Sequence, residues 1–140
     1  MLFRSDRLFV GSRVEDILAA LNAEAASGGP DADFAAKTAA TIKAKSPTSL
    51  KLALAQVRAG VAMSFEACMK CEYRIVSRII HGYDFYEGVR AVIVDKDNAA
   101  HWRPAALADV PDTEIERHFA PLDGSEWTTP NSAKPYRSGP

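Results

Sequence analysis

Apolar residues recur at helical spacing in successive segments of this chain, and Gly, Pro or Ser residues separate these segments. Such spacing places apolar side chains on one face of a helix, whereas Gly and Pro interrupt helices. Four predicted helices cover residues 14–25, 33–45, 47–60 and 65–81, a fifth opens at residue 84, and a short sixth covers residues 113–119. We therefore expect an all-α fold of about five to six helices packed as antiparallel hairpins.

Residues that cap helices support these boundaries. Five residues stand where an N-cap is expected: Ser12, Ser46, Ser64, Asp84 and Asp112. Two of them have a glutamate three residues later, as a capping box requires: Glu15 after Ser12, and Glu87 after Asp84. Pro47 fits the first position of the third helix, where no backbone donor is needed. The caps thus predict where most of the helices begin.

The fourth and fifth helices carry the most distinctive apolar patterns. The fourth helix has five apolar residues at helical spacing, which predict its buried face: Phe65, Met69, Tyr73, Val76 and Ile80. In the fifth, the β-branched run Val92-Ile93-Val94 also fits a strand. We favour a helix there because Asp84 is placed to cap one.

Composition limits the class of protein. With 140 residues, the chain fits a single domain, in which we expect residues 1–122 to be helical and residues 123–140, rich in Gly, Ser, Thr, Pro and Asn, to form a flexible tail where Trp127 can dock. A formal net charge of -1 does not favour nucleic-acid binding. There is no apolar run long enough for a membrane span and no secretory signal pattern, which predicts a soluble cytoplasmic protein.

Few residues suggest chemistry. We expect structural roles for three isolated histidines: His81, His101 and His118. The Cys68 and Cys71 pair lacks a second ligand pair for zinc, so we interpret both as small, half-buried residues and predict no metal site. Asp95 and Asp97 lack a third group that would position a water, so we favour capping or salt bridges over catalysis. We assign no catalytic residue.

A basic stripe on the fourth helix, formed by Lys70, Arg74 and Arg78, has two interpretations. Its spacing of four residues lines the cations along one face, where they can hold phosphate groups such as those of coenzyme A. The same residues also fit a solvated face, on which Glu66 pairs with Lys70. We favour the solvated face and retain Arg74 as a candidate coenzyme A contact.

Several motif blocks resemble the C-terminal half of 3-hydroxyisobutyryl-CoA hydrolases, a branch of the crotonase (enoyl-CoA hydratase/isomerase) superfamily. In order, these blocks are SPTSLK at residues 46–51, EYR at 72–74, HGYDFYEGVRAV at 81–92, DKD at 95–97 and WRP at 102–104. The Asp-x-x-Glu-Gly-Val pattern is shared by many crotonases. More specific to the hydrolase branch is the order of three blocks: SPTSLK, then Glu-Gly-Val-Arg-Ala, then Asp-Lys-Asp.

The resemblance implies a thioesterase of valine breakdown that acts on a coenzyme A thioester and needs no covalently bound cofactor. It also implies that the catalytic glutamate and aspartate lie in a β/α core preceding this region, so this chain would be inactive without that core. Lys96 lies one residue from the position at which some crotonases contact coenzyme A, and it is a second candidate contact. The residues leave open whether this chain is itself an enzyme.

The expected partner is a crotonase core, missing or on a separate chain, or a second copy that associates through apolar helix faces. Two other functions remain. The chain also fits a stand-alone helical interaction module, or the C-terminal part of an enoyl-CoA hydratase or isomerase. Neither nucleic acid nor membrane is an expected partner.

Overall fold

The computed structural model describes residues 4–124 and 126–128. Within these ranges the chain forms seven α-helices and no strand: α1 Arg4–Leu8, α2 Val14–Ala26, α3 Ala32–Lys43, α4 Pro47–Gly60, α5 Phe65–Ile79, α6 Tyr83–Val89 and α7 Asp112–Phe119. A π-helical turn, Arg90–Val94, continues α6, and a 3-10 turn, Leu107–Asp109, precedes α7. The all-α prediction is confirmed, and the Val92–Val94 run is helical as we favoured.

The first core lies between α2 and α3, which pack against each other as a hairpin with α1 beside α2. Its buried residues are Leu8, Ile17, Leu21, Ala35 and Ala39. The two alanines present little side chain, so α3 approaches α2 closely. Gly28, at a φ of 67°, makes the turn between the two helices with a backbone geometry that favours glycine.

The second core is built around α7, which packs against both α4 and α5. Its buried residues are Leu52, Val110 and Ile115, with Ile79 and Phe119 packed at the edge. Lys51 strengthens the same contact because its Nζ donates to the carbonyl of Val110 over 2.9 Å. α7 therefore bridges α4 and α5 and fixes their separation.

Two of the five predicted N-caps are confirmed and three are wrong. Ser46 and Ser64 each accept a hydrogen bond from the backbone N–H three residues later, over 3.2 Å in both cases. At α2 the capping carboxylate is that of Asp16, which accepts from the Arg13 amide over 3.0 Å, so the predicted Ser12–Glu15 box is displaced by one residue.

The predicted capping box at α6 is also wrong. The helix begins at Tyr83 after Gly82, which places Asp84 inside the first turn. Asp84 and Glu87 bind groups from distant parts of the chain instead, as described below. Asp112 is likewise the first residue of α7 rather than its cap, since Pro111 occupies that position.

The predicted buried face of α5 is wrong. Phe65 is 79% exposed, and Tyr73, Val76 and Ile80 are exposed as well, whereas Cys71 and Ile75 are buried. The physical reason is that α5 packs against α7, a later helix, and its buried residues lie one or two positions away from the predicted ones. Helical spacing identifies an apolar face, but it does not show which of two faces meets a neighbour.

Helix ends differ from the predictions by small amounts. α3 ends at Lys43 and α5 at Ile79, each two residues before its predicted end, whereas α4 ends at Gly60 as predicted. Among the described residues, no helix is both long enough and apolar enough to cross a membrane. Of the predicted flexible tail, residue 125 and residues 129–140 lie outside the described residues, and its flexibility stays a prediction. Trp127 is half-buried.

Candidate functional site

An apolar groove of about 710 Å³ lies between α4, the end of α5, α6 and the π-helical turn. Its apolar lining includes Leu50, Ile79, Phe85, Val89, Val92 and Ile93. Its charged lining includes Lys45, Arg78, Asp84, Arg103, Glu114 and Arg117. An apolar wall that also carries charged side chains is typical of a binding surface.

Asp84 holds two separate segments at one side of this groove. Its Oδ2 accepts from the hydroxyl of buried Ser46 over 2.5 Å, and its Oδ1 accepts from the Arg103 amide over 2.8 Å. The same Ser46 oxygen accepts the capping bond of α4. Asp84 therefore joins the start of α4 and the segment after the π-helical turn to α6.

Glu87, only 8% exposed, likewise binds groups outside its own helix, one turn further along α6. Its carboxylate is paired with Arg90 through two hydrogen bonds of 2.8 and 2.9 Å, and it accepts from the His101 amide over 2.7 Å. These hydrogen bonds, chiefly those from Arg90, lower the pKa of Glu87 from 4.5 to about 2. So weak a base, fully ionised at neutral pH, does not suit general acid or base catalysis.

The segment after the π-helical turn is attached to α6 by three residues, Asp84, Glu87 and Gly88. The two carboxylates accept hydrogen bonds from the amides of residues 103 and 101, which fixes an extended segment along α6.

Trp102, between these two residues, lies over Gly88. A Cβ added at Gly88 would meet the Cη2 atom of Trp102 at 3.4 Å. Its Nε1 donates to the Ala44 carbonyl over 3.0 Å. The Asp-x-x-Glu-Gly motif therefore attaches this segment to α6. Sequence reasoning missed this role, although two carboxylates three residues apart lie on one helix face.

Arg90 organises the π-helical turn. Besides Glu87, its guanidinium binds the carboxylates of Asp95 and Asp97 over 2.6 and 2.7 Å and the Ala99 carbonyl over 3.0 Å. The pKa of Arg90 is raised, chiefly by its hydrogen bond to Glu87. The pKa of Asp97 is lowered, chiefly by the hydrogen bond that it accepts from the Ala99 amide. The salt-bridge role predicted for Asp95 and Asp97 is confirmed.

Lys96, the second candidate coenzyme A contact, is exposed on this turn and has a φ of 58°. This left-handed backbone geometry is unusual for a residue with a side chain. Its role in binding stays a prediction.

The basic stripe of α5 is engaged within the chain. Lys70 pairs with Glu66 over 3.1 Å, as predicted. Arg74 binds the carboxylate of Glu126 through Nε and Nη2 over 2.8 to 3.0 Å, and its Nη1 donates to the Phe119 carbonyl over 3.2 Å. The hydrogen bond to Glu126 is the first cause of the raised pKa of Arg74.

Arg78, the last member of the stripe, donates to four backbone carbonyls, those of Arg74, His118, Ala120 and Pro121. Arg74 and Arg78 thus fasten the segment after α7, and the contact of Arg74 with coenzyme A stays a prediction.

The remaining candidates have local roles. His118 is buried, and its Nδ1 lies 2.8 Å from the Glu114 carbonyl, whereas His81 and His101 are exposed. Cys68 is half-buried, as we interpreted it, whereas Cys71 is buried, and burial raises the pKa of the Cys71 thiol. The described part of the chain contains no group of three or more His, Cys, Asp or Glu side chains that could hold a metal ion.

Comparison with known proteins gives concordant matches. The sequence matches the enoyl-CoA hydratase/isomerase family over residues 4–119. It is 41% identical over 118 residues to 3-hydroxyisobutyryl-CoA hydrolase, mitochondrial, of Danio rerio, which covers 84% of this chain and 29% of that protein. For the protein of the same name from Homo sapiens, the identity is 36% over 118 residues, with the same coverage.

A solved structure agrees with these sequence matches. The crystal structure of a carnitinyl-CoA dehydratase from Mycobacterium thermoresistibile matches with a TM-score of 0.70 and 38% identity over 85% of this chain and 32% of that chain. The chain thus spans about 30% of the length of the relatives it matches.

Proposed function

The chain belongs to the enoyl-CoA hydratase/isomerase family, and we propose on that premise that it forms the C-terminal helical part of an enzyme that hydrolyses 3-hydroxyisobutyryl-CoA. The observation that carries this proposal is its 36 to 41% identity to hydrolases of that name over 84% of its length. The substrate would be the thioester of coenzyme A, without a covalently bound cofactor, and the reaction would belong to valine breakdown.

The catalytic step would depend on residues outside this chain. Three carboxylates line or border the groove. Asp84 and Glu87 are committed to backbone amides, a hydroxyl and a guanidinium, and Glu114 pairs with Arg117. A carboxylate that acts as a general base must instead be within reach of the proton it removes. In this proposal the helices shape or cover a site whose acid and base residues lie in a β/α core.

The proposed partner is that core, on the same polypeptide or on a separate one. The proposed location is inside the cell. The relatives are named as mitochondrial proteins.

A split-enzyme assay tests the function. The companion polypeptide is the part of the Danio rerio hydrolase outside the stretch matched by this chain. We expect no release of free coenzyme A from 3-hydroxyisobutyryl-CoA by the chain alone or by the companion polypeptide alone, and measurable release when the two are co-expressed and purified together. Turnover by the chain alone, or an assembled complex without turnover, would contradict the proposal.

Hydration or dehydration of an enoyl-CoA is a second candidate, favoured by the 38% identity to the carnitinyl-CoA dehydratase. The same complex distinguishes the two when it is given crotonyl-CoA, because hydration removes the absorbance of the conjugated double bond. A third candidate, the stand-alone interaction module, is favoured by the exposed apolar residues described next. It predicts a stable complex that turns over neither substrate.

A further inference from the structure

Three consecutive apolar residues project into solvent from the π-helical turn. Val92, Ile93 and Val94 are 61%, 64% and 68% exposed. Single exposed apolar residues are common on protein surfaces, but a contiguous group marks a contact surface. Phe85, which is also exposed, lines the groove together with Val92 and Ile93, so the exposed group and the groove form one apolar surface.

The turn that presents these residues is held rigid by polar contacts. The Asp95 amide donates to the Arg90 carbonyl over 2.8 Å, which closes the wide turn, and the Asn98 amide donates to the Ala91 carbonyl over 3.0 Å. The guanidinium of Arg90 binds the carboxylate of Glu87, which precedes the turn, and that of Asp95, which follows it. A surface fixed before binding loses little conformational entropy when it is covered.

Charge around this surface is predominantly basic. Four cations line the groove, namely Lys45, Arg78, Arg103 and Arg117, against two carboxylates, Asp84 and Glu114. Asp84 is engaged by the Ser46 hydroxyl and the Arg103 amide, and Glu114 pairs with Arg117 over 2.7 Å. A partner surface with an apolar centre and an acidic edge would complement this arrangement.

We propose that this surface docks the part of the family polypeptide that the chain itself does not contain, with Val92 and Ile93 as its anchors. The proposal rests on the proposed function. The matched relatives and the matched solved structure are about three times as long as this chain, so they carry the additional polypeptide that would cover the surface. A second copy of the chain and a small-molecule ligand are the competing occupants.

Paired charge substitutions test the assignment. Ile93→Asp places a carboxylate in the centre of the surface, and Val10→Asp, at a residue that is 73% exposed and does not line the groove, is the matched control. Each variant is co-expressed with the tagged companion polypeptide, and the untagged chain retained on the tag is measured. Because both residues are exposed, circular dichroism melting curves should stay close to that of the original chain.

We expect Ile93→Asp to lower retention at least about tenfold, since an unpaired carboxylate is costly to bury, and Val10→Asp to leave retention unchanged. Equal retention of Ile93→Asp and the original chain would overturn the proposal. So would failure of the original chain to be retained, or a discrete dimer of the chain that excludes the companion polypeptide. A complex that depends on Ile93 but does not hydrolyse 3-hydroxyisobutyryl-CoA would refute the proposed function and leave this interface standing.

Discussion

At Glu87 a single carboxylate connects α6, the π-helical turn and the segment after it, through Arg90 and the amide of His101. Its pKa of about 2 lies below the ordinary value of 4.5, so the folded state binds this proton less readily than the unfolded state does. The stabilisation is therefore fully present above about pH 4.5 and is lost as the pH falls through that value toward about 2.

Glu87→Gln tests this linkage. We expect the variant to be less stable than the original chain at neutral pH, because glutamine removes the charged pair with Arg90 and leaves only Asp95 and Asp97 as its charged partners. The difference should shrink as the pH falls from about 4.5 to about 2. Urea unfolding followed by circular dichroism at a series of pH values measures it. Glu72→Gln, at an exposed residue, is the control, and stability curves for Glu87→Gln and the original chain that stay parallel would show the linkage to be absent.

At the scale of helices, local interactions were predictable and distant ones were not. Ser46 and Ser64 were identifiable as caps because the capping bond joins residues three apart. Asp84 was misassigned because Ser46 and Arg103, both far away in sequence, bind its carboxylate. The buried face of α5 was misassigned because it depends on packing against elements such as α7, a helix far later in the sequence.

The contact between α5 and the segment after α7 gives a second test. Glu126 accepts from the Leu122 amide over 2.7 Å as well as from Arg74. Glu126→Ala removes both bonds, so we expect the Leu122 amide to exchange its hydrogen roughly tenfold faster, as the loss of one charge-assisted bond implies. The melting temperature should change little, because the ion pair is partly exposed.

Hydrogen exchange followed by mass spectrometry on peptides that contain Leu122 measures this change. Glu116→Ala, at an exposed residue of α7, is the matched control, for which exchange at Leu122 should stay as in the original chain. Unaltered exchange in Glu126→Ala would mean that Arg74 and Glu126 do not fasten this segment.

For the whole molecule, the sequence predicted the fold class and, through its motif blocks, the family, but not the groove. The groove takes its lining from α4, α5, α6 and α7 and from residues 102–104. Such a surface depends on the packing of α7 against both α4 and α5, which no local pattern specifies. The Asp-x-x-Glu-Gly motif was recognisable as a family signature, whereas its structural task became evident only once the amides of residues 101 and 103 were placed beside it.

The apolar surface also has a consequence for the isolated chain. Without a partner over Val92, Ile93 and Phe85, these side chains remain in water, and burying them against another molecule is favourable. We expect sedimentation velocity of the purified chain to show self-association that increases with concentration, to a lesser extent in Ile93→Asp and to the same extent in Val10→Asp. Binding of the companion polypeptide should suppress it, since both processes use one surface. A single monomeric species at the highest attainable concentration would contradict this expectation and would mean that the surface, though apolar, does not drive association alone.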